Sequence, residues 1–284
     1  MILPSTDIKW LHVEVSSKCN AWCPACPRNS SGFGLAEGVV EQDLLPSRFE
    51  EVISGLPGLE AVQLCGNLGD PIASVHINDI LSIAKKYTKK VQIHTNGSLR
   101  NTVWWKDFAE QLSDVDHDVW FGIDGLSGVH EIYRQGTNFE KVIENAQAFI
   151  NAGGHATWQF IPYKHNEHQA KECYKLSHKI GFKQFKLAKL YRNQTVARHY
   201  KTGLEFDLLP TDSLRQIIPI DKNKTTVVPK NCMHLSMPSI YLSANGKLSR
   251  CCYMFKREKF NSTDDLLSNS VNDLTDHLCV ENCG

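Results

Sequence analysis

Short apolar runs of period two recur along the chain, and segments with helical spacing separate them. The runs predict strands over residues 11–15, 61–65, 91–95, 119–123, 156–161 and 184–190. Between them the spacing predicts helices over 75–87, 102–112 and 167–180. Ser47 followed by Glu50, and Thr137 followed by Glu140, read as capping boxes that open two more helices. The second of these stops at Gly153-Gly154, where a left-handed residue suits a helix end. Six strand–helix alternations predict an α/β fold with a parallel sheet and right-handed crossovers. The alternation leaves open whether that sheet closes toward a barrel or stays open.

Within the strands one parity is apolar: Leu11, Val13 and Val15; Val62 and Leu64; Val91 and Ile93; Val119, Phe121 and Ile123. The other carries His12 and Glu14, Gln63 and Cys65, Gln92, His94 and Asn96, Trp120 and Asp124, Gln159 and Lys186. A sheet covered by helices on both faces reads apolar on both parities. Here one face packs helices, and the polar face predicts a curved sheet with a wet, ligand-bearing concave side.

After Arg192 the periodicity breaks. Residues 201–231 hold Pro210, Pro219 and Pro229 and read as a linker between a strand–helix domain over 1–200 and a small cysteine-rich domain over 232–284. In the latter, residues 239–242 and 247–251 flank Asn245-Gly246, a strong hairpin signal. Lys171, Lys175 and Lys179, four residues apart, read as the solvated face of a helix.

Lys plus Arg equals Asp plus Glu at 31 each, which removes the electrostatic argument for nucleic acid or an anionic membrane surface. The start, Met1-Ile2-Leu3-Pro4-Ser5, has neither a basic nor an apolar signal region, and no apolar run reaches the length of a membrane span. A cytoplasmic location is expected. Ten cysteines then stand out, because in a reducing compartment clustered thiols point to metal rather than to disulfides. Cys19, Cys23 and Cys26 fall within eight residues directly after the first strand, on a loop at its C-terminal end, where parallel α/β sheets bind ligands. Three thiolates can hold three irons of a cubane and leave the fourth open, whereas a structural zinc site asks for a fourth local ligand.

The spacing C-x3-C-x2-C after a first strand resembles the radical S-adenosylmethionine superfamily. Further segments stand in the same order: Cys65-Gly66-Asn67-Leu68-Gly69-Asp70-Pro71 at the end of the second strand, Thr95-Asn96-Gly97 after the third, and Asp124-Gly125 with Tyr133-Arg134 after the fourth. The resemblance implies a partial (β/α)6 barrel holding one [4Fe-4S] cluster on Cys19, Cys23 and Cys26, with S-adenosylmethionine on its concave face. It implies that the methionine end of that cofactor chelates the open iron. Carbonyls near Gly69 and the Asp70 carboxylate would receive its ammonium, Arg134 would pair with its carboxylate, Asn96 would meet its ribose, and Asp124 would be a further cofactor-binding residue. The reduced cluster would cleave the cofactor to a 5′-deoxyadenosyl radical that takes a substrate hydrogen, with electrons from an external donor such as flavodoxin or ferredoxin. Two departures from the family pattern are Ala25, where an aromatic or large apolar residue is usual, and Asp70 in place of a glutamate.

The tail resembles the twitch form of the SPASM auxiliary-cluster domain: Cys232, thirteen residues, Gly246, four residues, Cys251, then Cys279-x3-Cys283. Cys232, Cys251, Cys279 and Cys283 would saturate a second [4Fe-4S] cluster, with Cys252 as a competing ligand and a four-cysteine zinc site as the alternative. Cys65 and Cys173 are expected to be unligated. The resemblance implies an oxidation or cross-link on a small molecule or peptide. The reading from a different class is a non-catalytic iron–sulfur or zinc protein that senses redox state or binds a partner.

Overall fold

A computed structural model describes residues 5–32, 34–188, 195–209, 238–252 and 260–268. All six strands of the alternation form: β1 (Trp10–Val13), β2 (Ala61–Leu64), β3 (Lys90–Thr95), β4 (Asp116–Gly122), β5 (Ala156–Phe160) and β6 (Gln184–Leu187). The helices between them are α1 (Pro46–Ser54), α2 (Ile77–Tyr87), α3 (Thr102–Gln111), the short α4 (His130–Tyr133), α5 (Phe139–Asn151) and α6 (Ala170–Ile180). The chain divides into two compact units, drawn from the stretches 1–18, 41–93 and 227–284, and from 19–40 and 94–226.

In the first unit β1 pairs parallel with β2, Trp10 opposite Ala61 and Val13 opposite Leu64, and β2 continues in parallel onto β3. On its other side β1 pairs parallel with β9 (Ser239–Leu242), and β10 (Leu248–Ser249) returns antiparallel. The Asn245-Gly246 hairpin therefore forms, and its first strand extends the parallel sheet. Gly246 sits at φ +78°, and its carbonyl accepts from Arg48 Nε at 2.9 Å. Leu11, Val13, Val62, Leu64, Val91 and Ile93 are fully buried, each contributing about 1.5–3 kcal/mol by burial.

In the second unit β4, β5 and β6 run parallel, Val119 opposite Ala156 and Thr157 opposite Gln184. Their covered face is aromatic. Trp105 and Phe108 of α3 and Phe149 of α5 close over Phe121, with Trp105 5.1 Å from Phe121 and 5.8 Å from Phe149 between ring centres. A second hairpin, β7 (Val196–Arg198) and β8 (Glu205–Asp207), was not predicted. Its three-residue strands are too short to show a period, and β8 falls in the stretch read as linker. Pro210, Pro219 and Pro229 lie outside the described residues.

Two capping expectations are corrected. Pro46 takes the first helical position of α1, which puts Ser47 inside the first turn; the N-cap is Leu45, with no side-chain bond. Proline has no N–H to cap and arrives with helical φ, so the box is not needed. In α5 the cap is Asn138, accepting from Lys141 N at 2.8 Å, while the Thr137 hydroxyl donates to the Arg134 carbonyl at 2.6 Å. The parity reading holds: in β1, β3 and β4 the apolar positions are buried, and His12, Gln92, His94, Asp118 and Trp120 between them are half-buried. Among the described residues no helix is long and apolar enough to cross a membrane.

Candidate metal and cofactor site

Cys19, Cys23 and Cys26 are reduced thiols on the loop that follows β1. Turns and clasps hold that loop. Cys26 N donates to the Cys23 carbonyl at 3.0 Å, Asn29 Nδ2 to the same carbonyl at 3.1 Å, and Trp22 N to the Gln135 carbonyl at 2.7 Å. The cysteines share one apolar cluster with Ala21, Ala25, Tyr133, Tyr163, Ala197 and Leu208, so the β7–β8 hairpin covers them. Trp22 stacks on Tyr200 between β7 and β8, centroids 5.7 Å apart and planes 7° from parallel. Gln135 clasps the same hairpin, its Oε1 accepting from Tyr200 N at 2.8 Å. Gly32 is required here, since a Cβ would stand 2.1 Å from the Arg198 carbonyl oxygen.

The donors around the sulfurs suit thiolates. Cys19 Sγ receives Ala21 N at 3.4 Å and Asn96 Nδ2 at 3.6 Å, and Arg134 Nη1 stands 4.0 Å from Cys23 Sγ. Hydrogen bonds to cysteine sulfur are a standard means of stabilising and tuning iron–sulfur ligation. Among the described residues no three His, Cys, Asp or Glu side chains converge as ligands of a single ion. A cubane takes one thiolate per iron, and three thiols on one covered loop with N–H and guanidinium donors fit that demand.

Buried Asp124 pairs with half-buried Arg134, Arg134 Nε donating to Asp124 Oδ2 at 2.6 Å. The other Asp124 oxygen accepts from Ile161 N at 2.6 Å, and Asn166 Nδ2 ties the Asp124 and Ile161 carbonyls together at 3.0 and 2.9 Å. Asp124 is thus engaged with the protein and orients Arg134. Burial works against the Arg134 charge, but Asp124, with the Cys23 thiol, keeps it protonated, above its ordinary range. Gly122 makes room, since a Cβ there would lie 2.5 Å from Arg134 Nη2.

His130 supports the same corner. Its Nδ1 accepts from Asp124 N at 3.1 Å and its Nε2 donates to Thr137 Oγ1 at 3.0 Å, which is the neutral tautomer. Burial and then the Arg134 charge push its pKa down to about 3. Below the ordinary histidine value the unfolded chain takes a proton that the folded chain refuses. Stability is therefore expected to fall as pH drops from about 6.5 toward about 3, by up to about 1.4 kcal/mol per pH unit. Urea titrations across that window should lose this slope in His130→Asn, whose Oδ1 keeps the acceptor but does not titrate. An unchanged slope would assign the effect elsewhere.

Asn96 is buried, and its amide faces the cysteine loop. Nδ2 also donates to Asn20 Oδ1 at 2.9 Å, while Oδ1 accepts from Ser98 N at 2.9 Å and Ser98 Oγ at 2.7 Å. In the first unit Gly69 lies against the end of β1, where a Cβ would be 1.9 Å from the Ser16 carbonyl oxygen. Asp70 N donates to the Lys18 carbonyl at 2.9 Å, and the Asp70 carboxylate caps Ile72 N at 3.0 Å. On the half-buried parity of the second unit His94 stacks on Trp120 at 4.6 Å, and Lys186 Nζ stands 4.1 Å over the same ring.

Of the tail cysteines, Cys251 is buried and Cys252 half-buried. Cys232, Cys279 and Cys283 lie outside the described residues. Cys173 is fully buried in α6 and burial pushes its thiol up to about 12, which makes it inert. Cys65 follows β2 on the polar parity, its carbonyl 2.6 Å from His12 Nε2. Sequence reasoning missed Asn20, Gln135, Asn166 and Tyr200 as supports of this site. Asn20 adjoins Cys19 and Gln135 adjoins Arg134, which is the local signal they carry; Tyr200 acts through contacts distant in sequence.

No protein-family model matches the chain. The tungsten-containing aldehyde ferredoxin oxidoreductase cofactor-modifying protein of Pyrococcus furiosus is 26% identical over 129 residues, 45% of this chain and 34% of that one. The chain thus spans about a third of the length of this curated relative. The crystal structure of Streptococcus suis SuiB bound to S-adenosylmethionine superposes over 96% of this chain and 67% of SuiB, with a TM-score of 0.64 and 15% identity. SuiB bound to its precursor peptide SuiA superposes over 92% of this chain and 64% of that one, with a TM-score of 0.65 and 14% identity.

Proposed function

We propose that the chain, which shares the fold of SuiB, is a radical S-adenosylmethionine enzyme that reductively cleaves its cofactor to oxidise or cross-link a small molecule or peptide. One observation carries the reading: three thiols on one covered loop, with hydrogen-bond donors at the sulfurs of Cys19 and Cys23, in the fold of a protein solved with S-adenosylmethionine. Cys19, Cys23 and Cys26 would each hold one iron of a [4Fe-4S] cluster. When bound, cluster and cofactor together supply a reducing electron and a 5′-deoxyadenosyl group able to take a hydrogen atom. The chain's residues do the rest. Arg134, fixed by Asp124, offers a guanidinium to the cofactor carboxylate. The carbonyl of Gly69, with Asp70 beside it, receives the ammonium. Asn96 holds Cys19 and Asn20 through its amide, and would meet the ribose only by exchanging one of these bonds. The β7–β8 hairpin and the apolar cluster around the cysteines keep water from the cluster.

The likeness to SuiB bound to SuiA supports the peptide arm of this proposal. A second cluster on Cys232, Cys251, Cys279 and Cys283 belongs to it as well, since four thiolates would leave no open iron and favour electron transfer. Flavodoxin or ferredoxin is the expected electron donor, and a cytoplasmic, reducing location suits clustered thiols kept for metal. The test is anaerobic reconstitution with iron and sulfide, reduction by dithionite and chromatography for 5′-deoxyadenosine. A full cluster without that product would leave the non-catalytic iron–sulfur reading.

The tail assignment has its own outcome. Cys283→Ala should lose the second cluster and turnover of the true substrate, yet still cleave S-adenosylmethionine. If Cys283→Ala kept both, and Cys252→Ala lost both, Cys252 would be the ligand.

A further inference from the structure

Glu14 follows β1 on the polar parity and is 1% exposed. A carboxylate in that position needs partners, and it has four. Leu68 N donates to Oε1 at 2.6 Å and the Tyr241 hydroxyl to Oε2 at 3.0 Å, and the N–H groups of Asn67 and Ala244 also bond to it. One side chain therefore joins the end of β1, the loop after β2 and the hairpin turn after β9, all within the first unit. The loop has no slack around it. A Cβ on Gly66 would stand 2.9 Å from Glu14 Oε1 and 2.8 Å from the Gly69 carbonyl oxygen, and Asn67 Nδ2 donates to the Cys252 carbonyl at 2.6 Å.

From this juxtaposition we infer that Glu14 is a positioning residue for the Gly66–Asp70 loop, and that Tyr241 and the C-terminal hairpin share in setting that loop for the cofactor ammonium. The inference rests on the proposed activity, because that reading gives the loop its ligand. Its physical content is that the tail strand contributes to cofactor affinity without touching the cofactor. Without the carboxylate, the amides of Asn67 and Leu68 lose a buried acceptor and the Gly69 carbonyl loses its fixed direction. Amide nitrogens and a hydroxyl need an acceptor there, not a charge, so glutamine serves in part: its oxygen faces Leu68 and its amide donates to the Tyr241 oxygen.

The test measures S-adenosylmethionine binding by calorimetry on the full chain with its cluster oxidised, beside hydrogen exchange of the 66–70 amides in cofactor-free protein. Glu14→Ala is expected to weaken binding about tenfold or more and to speed exchange at Leu68. Glu14→Gln should recover most of both, and Tyr241→Phe should weaken binding about threefold. Val62→Ala, a core truncation away from the loop, is the control for general destabilisation. If Glu14→Ala does not fold, Tyr241→Phe and Gly66→Ala carry the comparison. Wild-type affinity and exchange in these variants would overturn the inference, and so would an equal loss in the Val62→Ala control. If the wild-type protein with a full cluster bound no S-adenosylmethionine, the proposed activity would fall. Exchange at Leu68 would then show separately whether Glu14 holds the loop.

Discussion

Replacing Cys19, Cys23 and Cys26 together by alanine is expected to take the reconstituted protein from about eight irons to about four, and to abolish 5′-deoxyadenosine formation. The loss should be complete because each of the three thiols is assigned one iron, and none of the other described cysteines stands on that loop. Cys65 and Cys173 cannot substitute: one follows β2 and the other is an inert thiol inside α6. Stability should fall little by comparison, since the loop is held by backbone bonds to Gln135 and by Asn29 rather than by the sulfurs. Iron and sulfide analysis, with chromatography of the reduced reaction, checks both parts. Four irons in the unmodified protein, falling to none in the triple variant, would remove the tail cluster and leave the first intact. An unmodified-like yield of 5′-deoxyadenosine from the triple variant would refute the assignment of these cysteines.

Asp124→Ala should be the most destabilising single change at the site, at about 3–5 kcal/mol. It leaves the half-buried Arg134 charge without its partner and Ile161 N without its acceptor. Arg134→Met leaves the converse, an uncompensated carboxylate, and should cost a similar amount. The double variant should cost much less than the sum, because two apolar groups replace a desolvated pair. Urea unfolding of the four proteins measures the coupling directly. Additive losses would mean that the pair is not mutually dependent. Cofactor affinity should fall in Asp124→Asn as well, through loss of Arg134 orientation, even where that variant folds.

Much of the architecture was legible from local pattern. Period-two runs at 11–15, 61–65, 91–95 and 119–123 gave strands because burial on one face selects that parity, and β1, β3 and β4 obey it residue by residue. Asn245-Gly246 gave a hairpin because few turns reverse two strands in so short a space, and Gly246 takes the positive φ required. The cysteine loop was legible from spacing alone. What misled was chemistry shared between neighbours: Ser47 and Thr137 both had plausible partners for a capping box, and a proline and an asparagine one residue away took the helix starts instead.

The sequence by itself determined that the chain is α/β, that three thiols sit at the C-terminal end of the first strand, and that Asp124 and Arg134 stand near one another along the chain. These follow from rules of short range: side-chain period, turn geometry and ligand spacing. Only the tertiary structure decided what each polar group does. Asp124 proved to be an internal anchor, with both oxygens engaged, and Asn96 to be a donor to the Cys19 sulfur. The β7–β8 hairpin, three residues to a strand, folded over the cysteine loop, and β9 paired with a strand 229 positions earlier, Ser239 opposite Trp10. Contacts between residues so far apart leave no periodic trace, because each side satisfies its own local pattern and the partner is chosen by shape and unpaired backbone. Glu14 is the clearest case: one polar residue among several on its parity, it is singled out by four donors that arrive from two distant segments.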